Sequence, residues 1–345
     1  MEITKTTHPS PLGEISLFTL TNACGAKVTL SSLGAGIVRV ELPEADGTLT
    51  NVVIGYANPA DYNNDGPCAG KVPGRYANRI AKGHLEIDGK LYQLAINNGP
   101  NALHGGPTGF QNHIWNAEID GEDVVFTLHS PDGDENYPGN LVATARYSWS
   151  DNCTLTLDLK ATTDAPTVVN LTNHTYWNLD GENSGSVLDH EMWLGCSNYL
   201  PTDDTLIPTG LIEPVAGTPM DFTTPKTLGR DIKADFPALV YGKGYDNCWV
   251  VDDYTPGQVR HVATLKAAKS GHELKVSTSQ PAAQVYTGNW LAGCPANPEG
   301  RSYNDYDGVA IECQDMPDAP NHPNFPSTLL RPGEEYHRVI VFALK

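Results

Sequence analysis

The chain has 345 residues, of which 39% are hydrophobic, and it contains 33 Gly and 26 Pro. This composition is typical of a folded, turn-rich protein and excludes the disordered and fibrous classes. The 41 acidic and 22 basic residues give a formal charge of −19, which disfavours binding to nucleic acid or to an anionic membrane.

Alternating apolar and polar residues recur along the chain and predict strands with one buried face. The clearest such segments, in chain order, are residues 14–22, 27–42, 84–96, 115–130 and 141–163. A short helix is predicted at residues 59–64, and long amphipathic helical patterns are absent. Residues 168–177 also read as strand-forming, although they carry His174 in their middle.

Three dipeptides between these segments predict tight hairpin turns. Asp88-Gly89 and Asp120-Gly121 are expected to form type I′ turns, and Ser270-Gly271 is a weaker candidate for the same turn. Hairpins of this kind join antiparallel strands. We therefore expect an all-β fold, a large antiparallel β-sandwich with few short helices, and one domain spanning residues 1–345, because no linker or composition shift interrupts the strand rhythm.

Signatures of common cofactor and metal sites are not found. The G-x-G at Gly34 lacks a third glycine and a following helix, no phosphate-binding loop is present, and the 11 histidines show no zinc-site spacing. The seven cysteines form no C-x-x-C pair, so neither a disulfide framework nor a zinc site is expected. The first residues lack a secretory signal pattern and no apolar run approaches the ~20 residues that span a bilayer, so a cytoplasmic protein is expected.

Polar segments that interrupt the strand rhythm carry the chemistry of this sequence. They are GRYANRIAKG (74–83), NALHGGPTGF (101–110), NHTYWNL (173–179), GYDN (244–247), QVYTGNW (284–290) and residues 311–336. Together they supply Arg, His, Asp, Gln and Glu beside aromatic rings, the mixture that hydroxyl-rich ligands require.

Each of these residues also has a purely structural interpretation. Arg79 could form a surface ion pair, Asp246 a turn and Gln284 a strand hydrogen bond, while His104 and His174 are evenly balanced between structure and function. Glu312 is harder to explain structurally, because it follows an apolar strand and buried carboxylates are rare unless paired or functional.

Taken together, the segments resemble the aldose 1-epimerase family over essentially the whole chain. The matching residues are NRIAKG, LHGG, NHTYWNL, YDN, QVYTGN and PDAPNHPNFPSTLLRPGE. The resemblance implies a β-supersandwich that interconverts the α and β anomers of free aldoses, without a metal or other cofactor. It also implies a free monosaccharide as the partner, rather than nucleic acid or a membrane, and a monomer or homodimer.

The resemblance also implies roles for individual residues. Glu312 would be the base that takes the proton of the C1 hydroxyl, and His174 the acid that protonates the ring oxygen from the opposite side of the C1–O5 unit. His104 would assist catalysis and bind the sugar. The other implied sugar-binding residues are Asn78, Arg79, Tyr176, Asp246 and Gln284, with Trp290 as a neighbour.

Four positions depart from the usual family pattern, and three other functions stay open. Asn247, Cys313, Asp315 and Trp177 replace residues common in the family, which affects the expected sugar preference. A non-catalytic sugar-binding protein would need the same binding residues. Asp246 and Glu312 could instead form the carboxylate pair of a glycoside hydrolase, and Arg75, Arg79 and Lys82 could serve a sugar-phosphate epimerase.

Overall fold

The structure is a computed structural model that describes residues 1–345, and its paired strands are antiparallel. The strands of the first sheet are, in spatial order, Glu2–Ser10, Gly13–Thr21, Lys27–Ser31, Gly36–Pro43 and Leu49–Asn51. The largest sheet contains Asn116–Asp120, Asp123–Ser130, Leu141–Trp149, Thr154–Thr163, Tyr336–Leu344, Glu273–Thr278, Arg260–Lys266, Glu191–Leu194 and Lys226–Thr227. The six-stranded sheet contains Tyr176–Trp177, Val309–Gln314, Ala282–Tyr286, Asp246–Val250, Asn198–Leu200 and Glu213–Pro214.

Smaller elements complete the chain. Three two-stranded sheets pair Thr167–Val168 with Leu329–Leu330, Arg79–Ile80 with Ala102–Leu103, and His84–Ile87 with Lys90–Gln93. The one α-helix is Pro237–Gly242, and the 3₁₀ helices are Pro59–Tyr62, Ala81–Gly83, Phe110–Asn112, Asp134–Asn136 and Ala319–Asn321. The helix predicted at 59–64 is thus present as a four-residue 3₁₀ turn, capped by the Asn58 side chain. The predicted all-β fold is confirmed.

The main hydrophobic core joins the three large sheets. It contains 60 buried side chains, among them Phe18 of the five-stranded sheet and Trp177 of the six-stranded sheet. Both pack on the nine-stranded sheet, Phe18 against Phe126 with ring centroids 5.9 Å apart and Trp177 against Phe342 at 5.2 Å. Burial of alternate strand residues between sheets is the expected source of stability in such a sandwich.

The three predicted hairpins form, but their turns differ. Asp88 and Gly89 both have positive φ and form the two-residue turn as predicted. In the second hairpin Asp120 pairs with Asp123, so the turn residues are Gly121 and Glu122, and only Gly121 has positive φ. A type I′ turn needs positive φ at both central residues, so that prediction is wrong for Asp120-Gly121. Ser270-Gly271 belongs to a longer loop between Lys266 and Glu273.

The segment around His174 is not the continuous strand that the sequence predicts. Only Thr167–Val168 and Tyr176–Trp177 are strands. Between them the backbone bonds to separate parts of the chain: Asn170 N–H donates to the Arg75 carbonyl at 3.1 Å, and His174 N–H to the Lys71 carbonyl at 2.9 Å. These non-local partners replace a regular ladder and satisfy the buried backbone groups.

No helix in the structure is long and apolar enough to cross a membrane.

Candidate active site

A cavity of about 840 Å³ lies where the six-stranded sheet meets the loops that carry the polar segments. Seven of the eight site residues predicted from the sequence line it: Asn78, Arg79, His104, His174, Tyr176, Asp246 and Glu312. Gln284 does not line the cavity. Its side-chain amide instead donates to Asp246 Oδ1 at 2.7 Å, so Gln284 holds a cavity residue in position without lining the cavity itself.

Glu312 projects from the middle of the strand Val309–Gln314. That strand pairs with Ala282–Tyr286, which places Glu312 opposite Gln284 in the sheet register. The Glu312 residue is only 2% exposed, and its Oε2 atom has no hydrogen-bond partner within the protein. An unpaired buried carboxylate oxygen is costly, and its position at a cavity wall indicates a group kept for a ligand.

His174 lies beside Glu312. Its Nε2 atom is 3.3 Å from Glu312 Oε1, and its backbone is fixed by hydrogen bonds with Lys71 O and Gly70 N, both at 2.9 Å. The ring packs against Tyr176 with centroids 5.0 Å apart. Because the Tyr176 hydroxyl donates to the Pro67 carbonyl at 2.9 Å, Tyr176 offers the site its ring surface rather than a free hydroxyl. Glu312 and His174 therefore lie side by side, not on opposite walls of the cavity.

His104 is held by Asn78 in one tautomer. The two backbones are joined by a 3.0 Å bond from His104 N–H to Asn78 O, and the Asn78 backbone N–H donates to His104 Nδ1 at 3.1 Å. Since Nδ1 accepts this bond, the neutral ring carries its proton on Nε2. His104 also has a φ of +52°, a left-handed conformation that His adopts more readily than most residues. The ring meets His174 edge-on with centroids 5.4 Å apart.

His104, His174 and Glu312 raise the question of a metal, because one donor atom of each lies within 4.8 Å of the others. A neutral imidazole can bind a metal through one nitrogen only if its other nitrogen carries the proton. In His104 the Nδ1 atom already accepts a hydrogen bond, so Nε2 binding would set two donors against each other. The donor set therefore does not fit a metal without rearrangement of Asn78.

Burial shifts Glu312 and His174 towards their neutral forms. It raises the pKa of Glu312 well above its usual value, with the Asp246 charge adding to the rise and Arg79 opposing it. It lowers the pKa of His174 to about 4 and that of His104 well below its usual value. The roles expected from the sequence need an ionised Glu312 and a protonated His174, whereas desolvation by burial favours the opposite forms.

The remaining polar groups form a connected wall of the cavity. Arg79 lies 3.6 Å from Asp246 Oδ2 and donates through Nε to Asn98 Oδ1 at 3.1 Å. Asn78 accepts a bond from the Arg79 backbone N–H through Oδ1 at 2.8 Å, which leaves its Nδ2 group for a ligand. This wall thus offers both donors and acceptors, as recognition of neighbouring hydroxyls requires.

The four positions that depart from the family pattern do not line the cavity. Cys313 follows Glu312 in the strand and therefore points to the opposite face of the sheet, as Asn247 does after Asp246. Trp177 packs in the core, and Asp315 pairs with Arg338 at 3.0 Å. Direct effects of these four residues on sugar preference are not expected.

Several cavity residues were missed by the sequence analysis. Asn98, Asp204, Thr205 and Tyr241 line the cavity from loops and a short helix. They lie outside the polar segments, so nothing in the sequence singles them out. Tyr286 is different, because it belongs to the segment QVYTGNW and could have been chosen for its ring, which is 6.2 Å from that of His174.

Comparison with known proteins shows the family of this chain. The aldose 1-epimerase family profile matches residues 16–343. The galactose mutarotase of Homo sapiens is 40% identical over 335 residues, covering 97% of this chain and 95% of its own, and the aldose 1-epimerase of Escherichia coli is 39% identical, covering 93% and 92%. A solved aldose epimerase homologue from C. elegans superposes with a TM-score of 0.87 at 31% identity, covering 99% of both chains. The chain therefore belongs to the aldose 1-epimerase family.

Proposed function

We propose that this chain interconverts the α and β anomers of a free aldose, with Glu312 and His174 as the base and the acid. The observation that carries the proposal is the 3.3 Å contact between His174 Nε2 and Glu312 Oε1 in the wall of the cavity. Ring opening of a hemiacetal removes a proton from the C1 hydroxyl and delivers one to the ring oxygen. These two oxygens are bonded to the same carbon, so two neighbouring protein groups can serve both.

In the proposed reaction, ring opening converts a charged pair into a neutral one. Glu312 carboxylate accepts the proton of the C1 hydroxyl while His174 imidazolium donates a proton to the ring oxygen. The open-chain aldehyde then rotates about C1–C2 and recloses on its other face, with both proton transfers reversed. The protein thus returns to its starting state with no net proton gained or lost.

Burial of the pair favours this ring-opening step. Desolvation makes Glu312 a stronger base and His174 a stronger acid, because it destabilises both charged forms. Relative to the neutral pair that follows, the charged pair that starts ring opening is therefore higher in free energy than it would be in water. Positioned proton donors and acceptors of suitable pKa each contribute typically 10²–10⁴-fold to the rate.

The other cavity residues are proposed to hold the sugar. His104 presents Nε2–H as a fixed donor, while Arg79, Asp246 and the Asn78 amide offer further partners for hydroxyls. Gln284 is proposed to hold Asp246 in place rather than to contact the sugar. The 60-residue core shared by the three large sheets supports the proposal that the chain forms one domain.

The rival functions are less well supported by the geometry. Both Asp246 oxygens are engaged, one by Gln284 and one by Arg79, so Asp246 is not free to act as a hydrolytic nucleophile. Arg75 is used on the Ser130 hydroxyl and on backbone carbonyls, away from the cavity, so it is not available for a phosphate. A sugar-binding protein without catalysis would not need the buried Glu312–His174 contact.

Galactose is proposed as the first substrate to test, because several relatives about 40% identical to this chain are galactose mutarotases. The experiment is to follow the optical rotation of freshly dissolved α-galactose, α-glucose, xylose and arabinose with and without the enzyme. We expect faster equilibration of at least one sugar. Binding of these sugars without any acceleration would instead support the sugar-binding alternative.

A cytoplasmic location also belongs to the proposal, and cell fractionation would test it.

A further inference from the structure

Two cysteines that are distant in the sequence meet at one end of the sandwich. Cys24 and Cys153 are 129 residues apart, yet their Sγ atoms are 3.4 Å apart. Cys24 lies in the turn between the strands Gly13–Thr21 and Lys27–Ser31 of the five-stranded sheet. Cys153 lies in the turn between Leu141–Trp149 and Thr154–Thr163 of the nine-stranded sheet.

Hydrogen bonds hold the two turns together independently of the two sulfur atoms. Asn22 Nδ2 donates to the Ser150 carbonyl at 3.0 Å, and the Ala23 N–H donates to Asp151 Oδ1 at 2.9 Å. These bonds fix the two backbones relative to each other. Because an S–S bond is about 2.05 Å long, the two sulfur atoms need to approach by only about 1.4 Å.

The two thiols differ in their surroundings, which suits Cys24 to act as the nucleophile and Cys153 as the resolving thiol. Cys24 is exposed, and hydrogen bonding, first from the Ala26 backbone N–H, lowers the pKa of its thiol. Cys153 is half-buried, and burial raises its pKa. Burial also raises the pKa of the other five cysteines, which are Cys68, Cys196, Cys248, Cys294 and Cys313. Cys24 is thus the thiol best suited to react with an oxidant.

We propose that Cys24 and Cys153 form an intramolecular disulfide when the protein meets a disulfide oxidant such as oxidised glutathione. The Cys24 thiolate attacks one sulfur of oxidised glutathione and releases the first glutathione as a thiolate. The Cys153 thiolate then attacks Cys24 Sγ and releases the second glutathione. Two protein thiols become one disulfide, the oxidant takes up two electrons, and the two protons pass to the released glutathione thiolates.

The crosslink joins the five-stranded sheet to the nine-stranded sheet, away from the cavity, since neither cysteine lines it. It closes a loop of more than a hundred residues, which restricts the unfolded chain more than the folded one. The oxidised protein is therefore expected to be more stable towards heat, with its catalytic rate unchanged.

The test treats the native full-length protein with oxidised glutathione and maps the disulfides by mass spectrometry of a non-reduced digest. We expect one linked peptide pair containing Cys24 and Cys153. Cys153→Ser should instead accumulate glutathione on Cys24, and Cys24→Ser should show neither product. Absence of the linked pair in the native protein, or linkage seen only after denaturation, would overturn the proposal.

A thermal melt provides a second measurement that does not depend on peptide recovery. Oxidation should raise the melting temperature of the wild type by at least about 2 °C, and the reductant dithiothreitol should reverse this shift. Cys24→Ser treated in the same way should show no shift. A crosslinked protein with an unchanged melting temperature would refute the proposed stabilisation by a disulfide between the two sheets.

Discussion

Replacing Glu312 by Gln removes the proposed base while keeping the side-chain volume. The amide oxygen can accept a hydrogen bond from the sugar but cannot take its proton. Two neighbouring cavity groups are already engaged, because Asp246 is held by Arg79 and Gln284 and His104 Nδ1 already accepts a bond. We therefore expect kcat to fall by 10²–10⁴-fold, roughly 2.7–5.5 kcal/mol of transition-state free energy, with sugar binding retained.

The same substitution should stabilise the fold in a pH-dependent way. Burial raises the pKa of Glu312 in the folded state above its unfolded value of about 4.3. The folded wild type therefore binds the proton more tightly than the unfolded chain does, and it loses stability as pH rises above that unfolded value. The neutral amide carries no such penalty. The melting temperature of Glu312→Gln relative to wild type should consequently increase between pH 4 and pH 8.

Polarimetry gives the rate and thermal melts give the stability. Glu182→Gln is the matched control, because Glu182 is also a buried carboxylate with a raised pKa but does not line the cavity. We expect its kcat to match that of the wild type. Full activity of Glu312→Gln would remove Glu312 as the base, and a relative melting temperature that falls with rising pH would refute the argument from burial.

Three further predictions follow from the cavity. Because one proton shared by Glu312 and His174 is needed, kcat/KM should fall below about pH 4, where His174 becomes protonated beside neutral Glu312. An acid limb that already begins at about pH 6 would contradict this assignment. Arg79→Ala and Asp246→Ala should raise KM more than they lower kcat in polarimetric assays, because contacts with the sugar hydroxyls persist from the ground state to the transition state. A loss confined to kcat would mean that these residues are misassigned. A chelator should leave the rate unchanged, because the tautomer of His104 disfavours a metal, and loss of activity restored by added Zn²⁺ would refute that reading.

The sequence alone was sufficient to predict most of the fold and seven of the residues that line the cavity. Alternation of apolar residues predicts the strands because one face of each strand must be buried, and this rule is local. It failed for residues 168–177, where backbone partners such as Lys71 and Arg75 come from elsewhere in the chain. The turn at Gly121 was misplaced by one residue because strand register depends on the pairing of both strands.

Only the tertiary structure decided the environment of the residues that line the cavity. Desolvation of Glu312 and His174 depends on what surrounds them on every side, so the direction of their pKa shifts could not be read from residue types. The His104 tautomer rests on one backbone N–H of Asn78, and the Cys24–Cys153 pair on two turns from different sheets. Sequence spacing does not predict such contacts, because packing of the sheets brings distant segments together.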